Sequence, residues 1–316
     1  MRSLCIVLAL VASAACQTPP NEPDRPLDAV ARHRIVDAIA LKVSESYVYP
    51  DLGVKIAAFV RRRDKDGAYN SLSGSMDFAE ALTSDLESVN NDRHLRVFEG
   101  APPMRRPGNA DPGYAKPERL AGNVAYLEVR GFAPRAVAQD AGSAAMSEVA
   151  DAAALIIDVR RNGGGDPTGV AFLCSYLFGS KPVHLNDLYW RPANRIDQFW
   201  TDPGVPGRRY GPGKPVYVLT SRRTFSAAEE FAYDLQQLKR AIIVGETTGG
   251  GAHPGGVQQV GNGFSIFIPT GRAINPVSKK DWEGSGVIPD IPVPAAEGLE
   301  TARAAALRAL ASKAAP

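Results

Sequence analysis

The chain has 316 residues, of which 44% are hydrophobic and 22% are charged. This composition supports a packed core and excludes a wholly disordered chain, and the length suits one large domain or one domain with a smaller addition. Thirty-six basic and 34 acidic residues leave a formal net charge of +2. The arginine pairs are scattered and lack interleaved aromatic residues, which argues against a nucleic-acid-binding face.

The first segment has the pattern of an export signal. An apolar run from Leu4 to Ala12 follows a basic residue, and it is too short for a bilayer-spanning helix of about 20 residues. The small residues before Cys16 resemble a bacterial lipoprotein signal, so we expect residues 1–15 to be a signal peptide and Cys16 to be lipidated. Ser13 stands where such signals usually carry leucine, and ordinary cleavage after residue 14 is the alternative.

The cysteines and histidines argue against a disulfide framework and a metal site. Cys5 leaves with the signal and Cys16 is the expected lipid anchor, which leaves Cys174 alone in an apolar segment, as an inert buried thiol. The chain has four histidines and no CxxC or HExxH motif. We therefore expect neither a metal nor another cofactor.

Helical periodicity dominates the segment after the signal. Apolar residues recur at spacings of three and four in the stretches Val36–Tyr47, Leu52–Val60 and Phe78–Val89. They predict a small N-terminal helical domain over residues 27–100. Five prolines follow within a short stretch, a density that excludes a helix or a central strand, so residues 101–118 are predicted to be a Pro-rich linker.

Residues 119–316 alternate between short β-rich runs and helical runs, which is typical of an α/β domain with a largely buried sheet. The predicted strands are Val124–Val129, Leu155–Val159, Val216–Leu219, Ile242–Val244 and Phe264–Ile268. The predicted helices are Gln139–Ala150, Thr168–Phe178, Ala227–Leu238 and Ala295–Lys313.

A glycine-rich turn follows the second predicted strand of this domain. The segment Asp158–Gly165 ends in Asn162 and three glycines, and a predicted helix begins at Thr168. Glycines there allow a sharp turn and present bare N–H groups to an anion or an oxyanion. The segment lacks a P-loop lysine and the spacing of a dinucleotide-binding fingerprint. Alone, it is equally compatible with a plain tight turn.

Ser226 stands between a predicted strand and the start of a predicted helix. A hydroxyl there is held rigidly beside the first helical N–H groups and the positive end of the helix dipole. Acyl transfer needs this combination of a positioned nucleophile and donors for the developing oxyanion. Read alone, Ser226 is as compatible with an ordinary N-cap serine.

Together the two segments resemble the tail-specific, or C-terminal processing, serine protease family. That family has a strand ending in Asp-x-Arg-x-Asn-x-Gly-Gly and, later, Thr-x-Ser-Ala-Ala-Glu at a helix start; Thr224–Glu229 and Val244–Gly251 follow its pattern. The resemblance extends from about residue 28 to residue 294. It implies a ClpP-crotonase-like α/β catalytic core with Ser226 as nucleophile. It also implies an oxyanion hole formed by the backbone of Gly164 or Gly165 with that of Ala227.

The general base distinguishes two branches of the family. One branch uses a lysine that aligns with Gly251, and this chain has no lysine between Lys239 and Lys279. The other branch, similar to the tricorn core and to interphotoreceptor retinoid-binding protein, carries Asp-x-His-Leu and a glutamate before Gly-Val-x-Pro-Asp. His94 and Glu283 occupy those positions. The resemblance therefore implies His94 as general base and Glu283 as the acid that orients it.

Two features depart from the pattern or compete with it. Arg93 occupies the position where tricorn-like members carry a hydroxyl residue, so a helper role for a second serine is not expected. His253 lies close to the glycine-rich turn in sequence and is the alternative base. The segment between His94 and Asp158 is too short for the PDZ domain that protease members of the family often carry.

The resemblance implies a serine peptidase that acts on unfolded chain ends or short peptides through an acyl-enzyme. The alternative is a catalytically weak protein of the same fold that binds a hydrophobic ligand. An acyl-CoA enzyme of the crotonase type would share the oxyanion hole but has no use for a Ser–His–Glu set. Peptide or unfolded protein is thus the expected partner, with no nucleic acid and with membrane contact only through the lipid anchor.

The lipidation hypothesis makes a testable prediction for the N-terminus. The mature protein should begin at a Cys16 that carries a diacylglyceryl group, and because Gln17 rather than aspartate follows, we expect delivery to the outer membrane of a Gram-negative cell. Mass spectrometry of the N-terminal peptide measures this, and Cys16→Ala should release the protein from membranes. An unmodified start at Ala15 would instead indicate a soluble periplasmic protein.

Overall fold

The computed structural model describes residues 25–100 and 111–314. The predicted signal peptide, Cys16 and most of the predicted Pro-rich linker lie outside the described residues. The helices are α1 Ala29–Ser46, α2 Pro50–Lys65, α3 Ser75–Glu87, α4 Arg135–Val149, α5 Pro167–Ser175, α6 Ala227–Gln237 and α7 Gly298–Ala314. The strands are β1 Arg96–Glu99, β2 Glu118–Leu120, β3 Val124–Glu128, β4 Ala154–Asp158, β5 His184–Trp190, β6 Arg195–Trp200, β7 Val216–Thr220, β8 Ile242–Gly245, β9 Gly255–Gly261, β10 Phe264–Pro269, β11 Gly271–Ile274 and β12 Ile291–Pro292.

A six-stranded sheet in the order β12-β8-β7-β4-β3-β2 is the central sheet of the structure. Neighbouring strands from β3 to β12 pair in parallel, and β2 pairs antiparallel at one edge. Side chains of α4, α5 and α6 join the core on one face, and α7 covers the other. Because both faces are buried, the strands read as continuous apolar runs such as Leu155–Ile157, which is why the sequence pattern revealed them.

Two antiparallel three-stranded sheets complete the fold. The sheet β11-β5-β6 contributes Leu185, Leu188 and Ala273 to the hydrophobic cluster on one face of the central sheet. The order β1-β10-β9 packs against the N-terminal helices, so that Val260, Phe264 and Ile266 share one hydrophobic cluster with Ile39 and Leu82. The core of the N-terminal helices therefore includes a hairpin from beyond the predicted linker.

The predicted α/β class is confirmed. All five predicted strands and the four helices predicted beyond residue 119 are present with ends that shift by a few residues. The fifth strand, β10, lies in the sheet beside the N-terminal helices and not in the central sheet. The sequence pattern did not predict the other described strands, β1, β2, β5, β6, β9, β11 and β12. None of the described helices combines the length and the apolar character needed to span a bilayer.

Helix α6 carries three buried carboxyl groups, and two of them, Glu230 and Asp234, each have an oxygen without a partner among the described residues. These two residues lie one turn apart. Burial raises the pKa of Glu230 to about 8 and raises the pKa of Asp234 well above its ordinary value. Asn275 donates to the other oxygen of Asp234 at 3.0 Å. Glu230 is thus held as a neutral acid at neutral pH.

The raised pKa of Glu230 predicts that the protein loses stability as pH rises. Between about pH 4.5 and pH 8 the folded state keeps a proton on Glu230 that the unfolded state has released. The contribution of Glu230 to the free energy of unfolding is therefore complete below about pH 4.5, and it is lost progressively as the pH rises to about 8. One such group gives a slope of up to about 1.4 kcal/mol per pH unit. Glu230→Gln should flatten that slope and be more stable than wild type at pH 8, as measured by urea unfolding at pH 5, 6.5 and 8.

Glu80→Gln, at an exposed position on α3, is the matched control and should keep the wild-type slope. If Glu230→Gln retains the same pH dependence as wild type, the burial of a neutral Glu230 is refuted.

Candidate active site

The glycine-rich turn and the Ser226 turn meet at one edge of the central sheet. Strands β4 and β7 are parallel neighbours, with Ile157 opposite Val218. The carboxyl ends of adjacent parallel strands lie together, so the turns that follow them share one crevice. Phe225 N donates to the Asn162 carbonyl at 3.2 Å, which ties one turn directly to the other.

Ser226 adopts a strained backbone conformation. It precedes α6 with φ 55° and ψ −125°, whereas an ordinary N-cap residue has extended φ and ψ. A positive φ at a non-glycine residue costs about 1–3 kcal/mol and persists only where the surroundings enforce it. The same kind of sharp strand-to-helix turn exposes the nucleophile of α/β-hydrolases. Ser226 is also the N-cap of α6, with Glu229 as the capping-box partner that accepts from its N–H, so this turn combines a helix cap with a strained residue.

The glycine-rich turn packs directly on Ser226. Gly164 has φ 111°, and a Cβ placed on it would lie 2.8 Å from Ser226 Cβ and 3.1 Å from Ala227 N. Gly164 N donates to Asn162 Oδ1 at 2.8 Å, so this predicted oxyanion donor already has an acceptor. Among the described residues, no hydrogen bond engages the N–H groups of Gly165 and Ala227.

Glu229 joins the Ser226 turn to the loop that follows β8. Its carboxylate is buried and accepts four hydrogen bonds, from Ser226 N at 2.8 Å, Gly251 N at 2.8 Å, Gly250 N at 2.6 Å and Thr248 Oγ1 at 2.5 Å. Burial raises the pKa of Glu229, and these four donors act against that rise. Glu229 belongs to the recognised motif, but no sequence pattern indicated that its carboxylate joins two loops.

His94 lies in an aromatic pocket beside the Ser226 turn. Its ring centroid is 4.6 Å from that of Phe225, the residue before Ser226, and 5.8 Å from that of Phe267. Burial lowers the pKa of His94 to about 4, so the imidazole is neutral at neutral pH. Its Nδ1 atom is buried and has no hydrogen-bond partner within the described ranges.

Gly251 leaves no room for the lysine of the other family branch. A Cβ at this position would lie 2.3 Å from the Phe225 ring and 2.6 Å from His94 Cε1. Any side chain here would collide with both rings. His94 and Phe225 therefore fill the space next to the position that aligns with the dyad lysine.

His253 and Glu283 lie together with Asp92. His253 Nδ1 is 2.8 Å from Asp92 Oδ2 and 3.5 Å from Glu283 Oε2, and Glu283 Oε2 also accepts from Ala252 N at 2.5 Å. Glu283 Oε1 is buried without a partner in the part of the chain that the structure describes. The structure thus places Glu283 against His253, with no hydrogen bond to His94 Nδ1.

The Asp92 cluster carries shifted pKa values. Burial lowers the pKa of His253, but the hydrogen bond and charge of Asp92 and the charge of Glu283 outweigh burial and raise it overall. Burial opposes ionisation of Asp92, and the hydrogen bonds from His253 and Tyr47 outweigh it and lower its pKa. Burial and the charge of Asp92 raise the pKa of Glu283 to about 8.

Asp92 also supports the His94 segment. Asp92 Oδ1 accepts from His94 N at 3.1 Å, and Oδ2 accepts from Tyr47 Oη at 2.7 Å. Ligand atoms of Asp92, His253 and Glu283 lie within 4.8 Å of one another, a spacing that could hold a metal ion. Hydrogen bonds satisfy both Asp92 oxygens and His253 Nδ1, whereas Glu283 Oε1 has no partner among the described residues. Sequence reasoning had considered His253 only as a rival base.

Arg93 spans the outside of the site. Its Nη1 donates to the Gly249 carbonyl at 3.1 Å, and its guanidinium lies 5.4 Å from the centre of the Phe225 ring. The residue that departs from the tricorn-like pattern thus holds the aromatic wall of His94 in place and contributes no hydroxyl.

The family-wide sequence profile described as peptidase family S41 matches residues 123–293. The chain belongs to peptidase family S41. The chloroplastic C-terminal processing peptidase of Tetradesmus obliquus is 30% identical over 171 residues, which cover 52% of this chain and 33% of that protein. The chain thus matches about a third of that relative's length.

Solved structures support the fold. A protein from Parabacteroides merdae assigned as a peptidase superposes with a TM-score of 0.62 at 19% identity, covering 87% of this chain and 96% of that one. The tricorn protease superposes with a TM-score of 0.58 at 12% identity, covering 90% of this chain and 37% of that one. The predicted family and the ClpP-crotonase-like fold are confirmed.

The contacts of Glu229 predict that it is needed for stability and for reactivity of Ser226. Glu229→Gln replaces one acceptor oxygen by an NH₂ group that faces N–H and O–H donors, and each buried donor without a partner costs about 1–3 kcal/mol. We expect a loss of roughly 2–5 kcal/mol in the free energy of unfolding. We also expect slower acylation of Ser226, because its turn is no longer held; urea unfolding and probe labelling measure the two effects.

Glu230→Gln, at the adjacent position of the same helix, is the matched control. It replaces a neutral acid by an amide of similar shape, so at pH 7 it should keep wild-type stability or exceed it. If Glu229→Gln and Glu230→Gln lose the same free energy of unfolding and the same rate of Ser226 labelling, a special role for the Glu229 carboxylate is contradicted.

Proposed function

We propose that this protein is a serine peptidase that hydrolyses unfolded chain ends or short peptides through an acyl-enzyme, with Ser226 as nucleophile. The observation that carries the proposal is the strained, positive-φ conformation of Ser226 at the start of α6, packed on the glycine-rich turn. Such strain gives a helix cap no advantage, whereas it exposes a nucleophile beside oxyanion donors. Membership of peptidase family S41 supports the same chemistry.

His94 is proposed as the general base. Its neutral state at pH 7 and its contact with Phe225, next to Ser226 in the chain, support this role. His253 is the alternative base, since a carboxylate at Nδ1, here that of Asp92, is also the arrangement of a catalytic triad. His94 is preferred because its ring packs on Phe225, the residue before Ser226, whereas the ring of His253 contacts Tyr49 and its Nδ1 faces Asp92.

Glu283 is proposed to orient His94 during the reaction. Support comes from two buried atoms without partners, the potential donor His94 Nδ1 and the acceptor Glu283 Oε1. In the arrangement described above, the carboxyl group instead contacts His253 and Ala252 N. The proposed role therefore requires the Glu283 side chain to turn toward His94, where an ionised carboxylate would stabilise the imidazolium.

The oxyanion hole is proposed to use the N–H groups of Gly165 and Ala227, which have no acceptor among the described residues. Gly164 serves by close packing, since Asn162 Oδ1 occupies its N–H. In the first step Ser226 Oγ attacks the substrate carbonyl carbon and its proton passes to His94. His94 then gives that proton to the leaving amine, and water, deprotonated by His94, releases the acyl group.

The protein is further proposed to be exported and to work in the periplasm, held at the outer membrane through Cys16. The N-terminal pattern supports this location. Binding of a hydrophobic ligand without catalysis remains the second candidate function. It gains less support, because a ligand-binding site has no need for a strained serine.

A panel of variants tests the proposed roles. Ser226→Ala should abolish labelling by a fluorophosphonate probe, and His94→Ala should cost nearly as much activity, roughly 10⁴-fold or more, because the two side chains act as one unit. Glu283→Gln should slow turnover by about 10²–10⁴-fold, with less effect on KM. Labelling rates and peptide hydrolysis are the measurements, and the circular dichroism of each variant should match wild type.

His253→Ala and the pH profile provide the control. Because the pKa of His94 lies at about 4, activity should persist through pH 6 and fall only as the imidazole gains a proton below about pH 5.5. If His253 is the base, its raised pKa means that activity should already decline as the pH is lowered to 6.5, where more than half of its imidazole is protonated. A dead His253 variant together with an active His94 variant would overturn the assignment.

A further inference from the structure

A cavity of about 520 Å³ opens beside the glycine-rich turn. One side is formed by Gly163, Gly164 and Gly165, and the opposite side by the segment from Phe132 to Val137 at the start of α4. This volume lies within the range of small-ligand sites in proteins. The roles proposed above use one wall of this cavity and leave its interior unassigned.

The cavity and the nucleophile share a wall. Phe132 N donates to the Gly164 carbonyl at 3.0 Å, and Asp166 N donates to the Phe132 carbonyl at 2.8 Å, so the Phe132 segment and the glycine-rich turn are hydrogen-bonded side by side. Gly164 in turn packs on Ser226 Cβ. A substrate whose carbonyl oxygen points at the Gly165 and Ala227 N–H groups would therefore direct the attached side chain toward this cavity.

The lining indicates which side chain fits. Phe132, Ala133, Pro134 and Val137 give an apolar wall, and the glycines add no charged group. The charged pair in the lining, Arg130 and Asp111, is joined by hydrogen bonds of 3.2 Å, so its charges offset each other. An apolar side chain buried here would gain transfer free energy, whereas an unpaired charge would lose hydration.

We propose that this cavity binds an apolar side chain of the substrate, on the residue whose carbonyl Ser226 attacks, and that Val137 helps to set this selectivity. The proposal rests on the proposed function, since it assumes that Ser226 is the nucleophile. It assigns the substrate class as peptides with an apolar residue at the cleaved bond. Val137 is suited to this role because its side chain lines the cavity and is 44% exposed.

Val137→Glu tests the proposal with little risk to the fold. Val137 is the third residue of α4, where an acidic side chain is favourable to the helix. Two peptidyl diphenyl phosphonates serve as probes, identical except for a leucine-like or a lysine-like side chain next to phosphorus. In the labelling step Ser226 Oγ forms a bond to phosphorus, the bond from phosphorus to one phenoxy oxygen breaks, and phenoxide leaves. The serine proton passes to His94, which can then protonate the phenoxide.

Wild type should react at least about 10-fold faster with the leucine-like probe, because its side chain suits an apolar cavity. Val137→Glu should shift the ratio of the two rates toward the lysine-like probe by about 30-fold, because the new carboxylate pairs with the ammonium group. Val137→Lys should instead lower reactivity toward the lysine-like probe further. Val30→Glu, in the first turn of α1 and 59% exposed, is the matched control and should leave the ratio unchanged.

A fluorophosphonate, which has no such side chain, separates this proposal from the proposed function. If Ser226 reacts with it at similar rates in all variants while the probe ratio stays constant, the cavity assignment is overturned and the nucleophile assignment stands. If wild type does not react with it at Ser226, both are overturned.

Discussion

The Glu229 carboxylate is the constraint on which the rest of the site depends. A strained turn at Ser226 cannot hold its conformation unaided, and Glu229 accepts from its N–H while also holding the loop of Gly250 and Gly251. That loop fits closely against Phe225 and His94. One buried carboxylate thereby holds the Ser226 turn at a fixed distance from the loop that packs on His94. Its burial is unfavourable by itself, and four donors offset it.

Sequence patterns predicted the parts of this structure that follow from local chemistry. Parallel strands buried on both faces appear as continuous apolar runs, so the strands around Leu155 and Val216 could be recognised. The sequence placed Ser226 and the glycine-rich turn each after a predicted strand, and the structure shows that these strands are neighbours and brings the two turns into contact. Strands of mixed burial, such as β6 and β9, have no comparable apolar run and were not predicted.

Contacts between distant segments could not be derived from a single sequence. Asp92 and His253 are far apart in the chain, and their pairing depends on how the loop after β8 packs on the segment after α3. The same packing places Glu283 beside His253, although the motif associated it with His94. A motif specifies which residues are present, while the fold decides which of two nearby imidazoles a carboxyl group contacts.

The hairpin β9–β10 has a consequence for how the protein acquires its structure. Helices α1–α3 are synthesised first, yet part of their hydrophobic cluster is supplied by Phe264 and Ile266, which leave the ribosome much later. Until the hairpin emerges, part of the apolar surface of the helices stays exposed to solvent. Exposed apolar surface favours association with chaperones or with other nascent chains. A fragment ending before the hairpin would lack this part of its interior. The N-terminal helices and the hairpin are therefore expected to complete folding together, only after the hairpin has left the ribosome.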